Sequence, residues 1–420
     1  MAARTTGSSK FRRRKQRSGK RDDKVVSKRS ASRSSRAPKP RSRLSPERVG
    51  DFVDELVGDE MHAKRRLSLA MGIVGVMHAV SLAIHGIGRG LASAMDLDPK
   101  HTTKQVDRLL SNERLQMSSL LPPWVQYVIG ERKEVVVALD WTEFDGDNQS
   151  VLALYLVTRH GRATPLVWRS VYKTTLKNNR ARYESELIEL LHGALADDVA
   201  VTLLADRGFG DVARYSHLDD LGWDYVIRFK QGTHVTHAGE SKPASSWMSP
   251  TGRARKLKDV KVTGKKKAVG AVVLVHAKKM KDPWCLATNH NDWAATKVIK
   301  LYGRRFTIEE TFRDTKDVHF GLGLSATHIS KTDRRERLLF LGAISHALLT
   351  LLGAAGERCG LDSRLKVNTV KHRTLSLYRQ GCYWYDAMPN MREERLEMLV
   401  AAFDEEVNEQ RFFRDVFGVL

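Results

Sequence analysis

The segment EVVVALDWTEFDGD runs from Glu134 to Asp147 and predicts a strand that ends in an acid. Its apolar, mostly β-branched run from Val135 to Leu139 is typical of a buried strand. Asp140 follows directly, and an acid at the end of a buried strand is costly unless it is paired or binds a cation. A single acid of this kind is often only a turn or helix-capping residue. This segment alone therefore leaves the role of Asp140 open.

A second segment repeats the pattern further along the chain. VAVTLLADRGFGD, from Val199 to Asp211, predicts a strand over 199–206 that ends in Asp206. Two buried strands that each end in an acid are harder to explain as separate turns. The pair therefore favours a shared function for Asp140 and Asp206.

The third informative segment is LYGRRFTIEETFRDTK, from Leu301 to Lys316, which predicts a helix. Offsets of three, seven and fourteen residues place four side chains on one stripe of that helix: Tyr302, Arg305, Glu309 and Lys316. The adjacent Glu310 points about 100° away, so the spacing selects Glu309. A solvated face held by salt bridges is the competing interpretation.

Together the three segments predict a metal site. Hard divalent cations such as Mg²⁺ take oxygen ligands and keep some water for phosphates. If Asp140, Asp206 and Glu309 converge, they form such a site, and the neighbouring cations suit phosphate groups.

On these residues the chain resembles DDE transposases of the bacterial insertion-sequence group marked by the YREK signature, over roughly 122–360. The resemblance implies that Asp140, Asp206 and Glu309 are the catalytic and metal-binding residues. They would hold two Mg²⁺ ions, for which Mn²⁺ can substitute. It further implies metal-dependent cleavage at transposon ends, followed by strand transfer into target DNA.

In the resembling group the freed 3′-hydroxyl forms a hairpin at the transposon end, and a base leaves the stack. The resemblance assigns DNA contacts to Tyr302, Arg305 and Lys316, and a stacking surface for the flipped base to Trp284. The competing role for Trp284 is that of a core aromatic residue. Arg207, next to Asp206, is a further candidate for a phosphate contact.

The expected fold class is α/β: a ribonuclease H-like catalytic core with a β-rich insertion, preceded by a helical DNA-binding region and followed by a helical C-terminal region. Helices are expected from Ser45, over 67–92, and last over 103–112 before the strands begin. Strands are expected at 134–144, 150–157, 164–172, 199–206 and 224–230. The expected domains are a disordered basic tail (1–44), a helical DNA-binding domain (45–120), the catalytic domain (121–231 and 292–360), the insertion (232–291) and the C-terminal region (361–420).

Composition agrees with a polyanionic partner. The formal net charge is +22, and residues 1–43 contribute 17 Lys and Arg against two Asp. Such a balance concerns partners rather than fold, and double-stranded DNA is the expected one. Synapsis of two ends implies self-association into a dimer or higher complex. Three cysteines without a CxxC pair fit a reducing cytoplasm. With DNA as the expected partner, the expected location is the cytoplasm, in association with the nucleoid.

The apolar run from Leu338 to Ala355 is interpreted as a buried core helix rather than a membrane span, because polar residues interrupt it and charges flank it. Two other functions stay open. One is a domesticated transposase that acts as a non-transposing nuclease or DNA-binding protein. The other is a basic DNA-packaging protein without catalysis.

Overall fold

The computed structural model describes residues 44–58, 61–158, 161–319 and 321–408. The predicted basic tail therefore lies outside the described residues, apart from Leu44. The end of the expected C-terminal region, 409–420, also lies outside them.

The N-terminal part is helical. Helix α1 begins as predicted, because the Ser45 side chain accepts a hydrogen bond from the Arg48 backbone and Pro46 occupies the first turn. The predicted continuous helix over 67–92 is wrong: Val80 adopts a left-handed backbone, and the axis turns by 96° between two helices. The five helices are α1 (Pro46–Val57), α2 (Ala63–Ala79), α3 (Ile84–Met95), α4 (Pro99–Leu110) and α5 (Met117–Ile129).

Glycines lie inside this helical layer rather than ending it. A Cβ on Gly90 would lie 2.5 Å from the Gly75 carbonyl oxygen, and one on Gly88 would lie 2.3 Å from Oγ1 of Thr103. Helices α2, α3 and α4 can therefore approach one another closely only because these side chains are absent.

Helix α5 is a correction to the sequence prediction, which placed the last helix of this region at 103–112. The Pro122–Pro123 pair lies inside α5 and argues locally against a helix. Tertiary contacts override it. Trp124 is fully buried, and its indole donates a 2.8 Å hydrogen bond to the carbonyl of Pro165.

The described strands form one ten-stranded mixed sheet in the order β3-β2-β1-β4-β5-β10-β9-β8-β6-β7. Strands β1 and β4 are parallel, and the strands of the expected insertion extend the same sheet through an antiparallel β5–β10 pair. Their bounds are β1 (Glu134–Phe144), β2 (Gln149–Val157), β3 (Ala163–Tyr172), β4 (Ala200–Ala205), β5 (Asp224–Arg228), β6 (His234–His237), β7 (Glu240–Pro243), β8 (Arg255–Val262), β9 (Lys267–Val275) and β10 (Trp284–Thr288).

Helices pack on both faces of the sheet, which gives a mixed α/β fold. Those between the strands and before the long core helix are α6 (Lys173–Leu176), α7 (Arg180–Ala194), α8 (Val212–Asp220), α9 (Ala295–Gly303) and α10 (Phe306–Lys316).

The C-terminal helices are α11 (Thr332–Arg358), α12 (Leu377–Ala387) and α13 (Glu393–Asn408). Among the described residues α11 is long and apolar enough to cross a membrane, and the bent α2–α3 pair passes the same test if taken as one span. The apolar window of α11 is almost entirely buried inside the protein, so the prediction of a core helix is confirmed.

Candidate active site

The two acids lie side by side where β4 ends. Leu139 on β1 pairs with Ala205 on β4 in parallel register, so Asp140 and Asp206 are the next residues of the two chains. Asp206 follows β4, whereas Asp140 does not end its strand: β1 continues to Phe144, and Asp140 pairs with Ala153 on β2. Neighbouring strands are about 4.8 Å apart, which brings the two carboxylates into one another's electrostatic field.

Glu309 reaches this edge from helix α10, and Arg305 connects it to Asp140. The Arg305 guanidinium donates from Nη1 to Oδ2 of Asp140 at 2.9 Å and from Nη2 to Oε1 of Glu309 at 2.6 Å. The Arg305 side chain is only 4% exposed, against 48% for Glu309. A buried cation therefore joins two of the three predicted acids directly.

Asp206 takes no part in that bridge. In the described part of the chain its Oδ1 atom is buried and has no hydrogen-bond partner. A buried carboxylate oxygen without a donor is costly, and a cation would remove the cost. The donor chemistry, three carboxylates with one unpartnered oxygen, therefore fits a hard divalent cation.

Among the described residues no three His, Cys, Asp or Glu side chains group closely enough to hold a metal. At this edge the guanidinium of Arg305 lies between Asp140 and Glu309 and contacts both carboxylates.

The electrostatics of Asp140 reflect this crowding. Burial raises the pKa of Asp140 to about 6, and the nearby carboxylates of Asp206 and Glu309 act in the same direction. The guanidinium of Arg305 and the backbone N–H of Trp141 oppose the increase in pKa. The three acids therefore interact across the site.

An open cleft of about 530 Å³ lies over Asp140 and Glu309. Its lining residues are Asp140, Trp141, Thr142, Glu309, Phe312, Arg313, Lys316, Asp317 and Ser325. A wide, polar cleft that exposes carboxylates beside cations suits an extended charged ligand rather than a small enclosed molecule.

Residues 169–348 match the family model described as the transposase DDE domain. The match supports a transposase of the DDE type. The matched segment contains Asp206 and Glu309, whereas Asp140 lies before it. A comparison with curated proteins gives no match.

The four residues predicted to share one helix face, Tyr302, Arg305, Glu309 and Lys316, do not lie on one continuous helix, so that prediction is wrong. Tyr302 belongs to α9 and Glu309 to α10, and Arg305 caps the start of α10. At the junction the amides of Arg304 and Arg305 bond to carbonyls three residues back, which tightens the backbone. Gly303 lies at this point and has a low helix propensity.

Two of these four residues, Tyr302 and Lys316, are held by contacts within the protein. Tyr302 is fully buried. Lys316 is half-buried; its Nζ donates a 2.6 Å hydrogen bond to the carbonyl of Glu143 and lies 4.5 Å from the Phe144 ring centre. Lys316 still lines the cleft, whereas Tyr302 acts here as a packing residue.

Trp284 is half-buried at the start of β10, and its ring meets Tyr302 edge to face with centroids 4.8 Å apart. Phe306, which the sequence analysis missed, is 41% exposed and lies 6.2 Å from the Trp284 ring. Its position next to Arg305 was the available signal. Arg207 is exposed beside Asp206.

A buried polar network behind Asp140 also escaped sequence analysis. The indole of Trp141 donates to Oε1 of Glu184 at 2.9 Å, and Oε2 of Glu184 pairs with Arg214 at 3.0 Å. Arg180 lies 5.0 Å over the Trp141 ring. This network fixes Trp141 in the wall of the cleft.

Proposed function

We propose that the chain is a DNA transposase of the cut-and-paste type. It would cleave phosphodiester bonds at transposon ends and join the freed 3′ ends to target DNA. The observation that carries the proposal is the Arg305 bridge between Asp140 and Glu309 in an open cleft, together with the strand register that sets Asp206 beside Asp140. The match of residues 169–348 to the transposase DDE domain supports it.

The residues that would hold divalent cations are Asp140, Asp206 and Glu309, with Mg²⁺ as the expected ion and Mn²⁺ as a substitute. Bound Mg²⁺ supplies Lewis-acid chemistry: it neutralises charge on the phosphodiester and lowers the pKa of an attacking water or 3′-hydroxyl. No side-chain nucleophile is required for this reaction class.

The protein side chains would position the DNA. Arg207, which is exposed next to Asp206, and Lys316, which lines the cleft, would offer charge-assisted hydrogen bonds to phosphates. On the same edge Trp284 and the exposed ring of Phe306 offer an aromatic surface. Such a surface would hold a base that leaves the stack, as a hairpin route requires.

The remaining parts of the proposal concern the whole protein. The sheet and its flanking helices would form a ribonuclease H-like core, and helices α1 to α4 would read the transposon end. Four cations on that layer are exposed and suit phosphate contacts: Arg89, Lys100, Lys104 and Arg108. Two protomers would pair the two ends in a synaptic complex.

The test uses labelled duplexes with the element's own ends, Mg²⁺, and a denaturing gel. Wild type should give nicks and a slowly migrating hairpin, and Glu309→Gln should give neither while it still binds DNA. Glu310→Gln is the matched control, because Glu310 is adjacent on α10 but pairs with Arg313 at 2.7 Å. It should cleave like wild type.

Two results would count against the proposal. Equal loss of cleavage in both variants would point to damage to α10 rather than to chemistry at Glu309. DNA binding without any cleavage by wild type would favour a domesticated, non-transposing protein.

A further inference from the structure

The Arg305 guanidinium faces the acids, where a residue that only binds DNA phosphate would not need to lie. It is buried and donates one hydrogen bond to Asp140 and one to Glu309. These are two of the three acids to which the proposed function assigns the cation. The space that such an ion would share with both carboxylates is therefore filled by a side chain of the same charge sign.

We propose that Arg305 is a displaceable counter-ion: it neutralises Asp140 and Glu309 in the metal-free protein and moves away when a divalent cation binds between them. This inference rests on the proposed function. In it, Arg305 competes with the metal ion for the two carboxylates, in addition to any contact that it makes with DNA.

The charges of the site support displacement. Without a cation, three carboxylates at one edge repel one another, and a bidentate guanidinium is a strong way to offset two of them. With a divalent ion in place, the guanidinium would face a double positive charge within a few ångströms in a poorly solvated site. The two cations therefore compete for the same oxygens.

The guanidinium does not do everything that a metal ion would do at this site. The guanidinium bonds to two acids, while Oδ1 of Asp206 stays buried and without a partner in the described part of the chain. An ion reaching all three acids would satisfy that oxygen as well. This difference supplies a driving force for the exchange.

The residues around Arg305 leave room for a second position of its side chain. Its guanidinium carbon already lies 4.8 Å from the ring centre of Phe306, which is 41% exposed at the protein surface. Glu309 is about half exposed, so one side of the bridge is open to solvent. A side-chain rotation toward the Phe306 face would keep a cation–π contact and place the charge where a DNA phosphate can reach it.

The test measures metal binding without DNA or activity. Mn²⁺ is titrated into EDTA-treated, dialysed protein, and its free concentration is followed by electron paramagnetic resonance. Thermal unfolding with and without Mn²⁺ is recorded in parallel. Arg305→Gln should bind Mn²⁺ at least about tenfold more tightly than wild type, because no charge-assisted pair has to be broken. It should unfold at a lower temperature without metal and gain more from Mn²⁺ than wild type does.

Arg305→Lys covers the case in which the glutamine variant does not fold. Lysine keeps the charge but cannot bridge two carboxylates as a planar fork. The affinity of Arg305→Lys for Mn²⁺ should therefore lie between those of wild type and Arg305→Gln. The matched control is Arg162→Gln, which removes a partner of Asp314 (2.5 Å) on another face of the same helix, α10. It should lower the unfolding temperature with and without Mn²⁺ and leave the affinity unchanged.

The failures are distinguishable. If Arg305→Gln or Arg305→Lys binds Mn²⁺ no more tightly than wild type, Arg305 organises the acids for the metal and the counter-ion inference is overturned alone. If neither wild type nor the variants bind Mn²⁺ in a way that Asp206→Asn weakens, the metal-dependent function is overturned together with it.

Discussion

Arg335 on helix α11 forms a buried ion pair with Asp147 in the turn between β1 and β2. Its guanidinium also donates to Oε1 of Gln149 at 2.7 Å and lies 4.0 Å from the ring centre of Phe144. Lys316 lies 4.5 Å from the same ring. The Arg335–Asp147 ion pair therefore supports the end of β1, the strand that carries Asp140.

Arg335→Met should lower the free energy of unfolding by about 3–5 kcal/mol, because the largely buried Asp147 carboxylate loses its buried guanidinium partner. Urea unfolding at pH 7 measures the change. The double variant with Asp147→Asn is the control and should recover part of the loss. A loss below about 1 kcal/mol in the single variant would show that solvent replaces the arginine at no great cost.

If Asp206 holds the proposed cation, Asp206→Asn should reduce cleavage of transposon-end duplexes by at least about 10²-fold, since loss of one metal ligand removes several kcal/mol of charge stabilisation. Filter binding should show unchanged DNA affinity. Asp211→Asn is the nearby control: Asp211 caps α8 by accepting from the Arg214 amide at 3.0 Å, and the variant should cleave normally. Normal cleavage by Asp206→Asn would remove Asp206 from the proposed site.

Trp284→Ala should lower the ratio of hairpin to nicked product by about 5- to 100-fold, the value of one lost base–aromatic stack. Trp284→Phe should restore most of it. Trp223→Phe tests for general damage, because Trp223 is buried and packs against His192 instead. Nicking and hairpin formation that fall together in Trp284→Ala would indicate a packing role.

Two exposed lysines in the β8–β9 turn should contact DNA phosphates. Replacing Lys265 and Lys266 with Gln should reduce the magnitude of the slope of log affinity against log salt by about 0.9 for each lost contact. Lys267 is the internal control, because it is engaged with Asp219 at 2.8 Å. If Lys267→Gln changes the slope as much as the double variant does, the effect is one of net charge and not of position.

Stability should fall in mild acid because of His346. Burial lowers its pKa to about 4, whereas an unfolded histidine titrates near 6.5. Between these values the unfolded chain binds a proton that the folded chain does not, so stability decreases as pH falls from about 6.5 to 4, by up to about 3 kcal/mol. Asp314 and Arg162, the charged groups that face it, act in opposite directions.

Urea unfolding of wild type and His346→Gln across this pH range measures the contribution. The two curves of free energy against pH should converge toward acid, because the variant lacks the proton uptake. Parallel curves would mean that His346 takes up its proton in the folded state.

The strands were predictable because they are buried on both faces: Val135 to Leu139 and Val201 to Ala205 leave few alternatives to a central strand. Asp206 after β4 and Asp140 after the apolar run of β1 were noticed for the same reason, since a carboxylate next to a buried apolar run carries a desolvation cost. The side-by-side position of Asp140 and Asp206 was expected only from the resemblance, because periodicity does not give strand order.

Other features depend on contacts between distant segments. Helix α12 was not predicted because its Gly381 is a poor helix former; a Cβ there would lie 1.7 Å from the carbonyl oxygen of Leu349. The break at Val80 escaped detection because apolar residues continue across it. The spacing of Arg305 and Glu309 predicted their contact but not that the same guanidinium also reaches Asp140.

The continuity of the sheet has a mechanical consequence. Trp284 on β10 and Asp206 after β4 lie at the same edge, with only β5 between their strands. Their lateral separation is therefore about two strand spacings, roughly 10 Å. No hinge can change that span without breaking backbone hydrogen bonds in the middle of the sheet. The distance between the Trp284 ring and Asp206 is therefore fixed by the sheet. In the proposed function, this distance would set how far a displaced base can lie from the scissile phosphate.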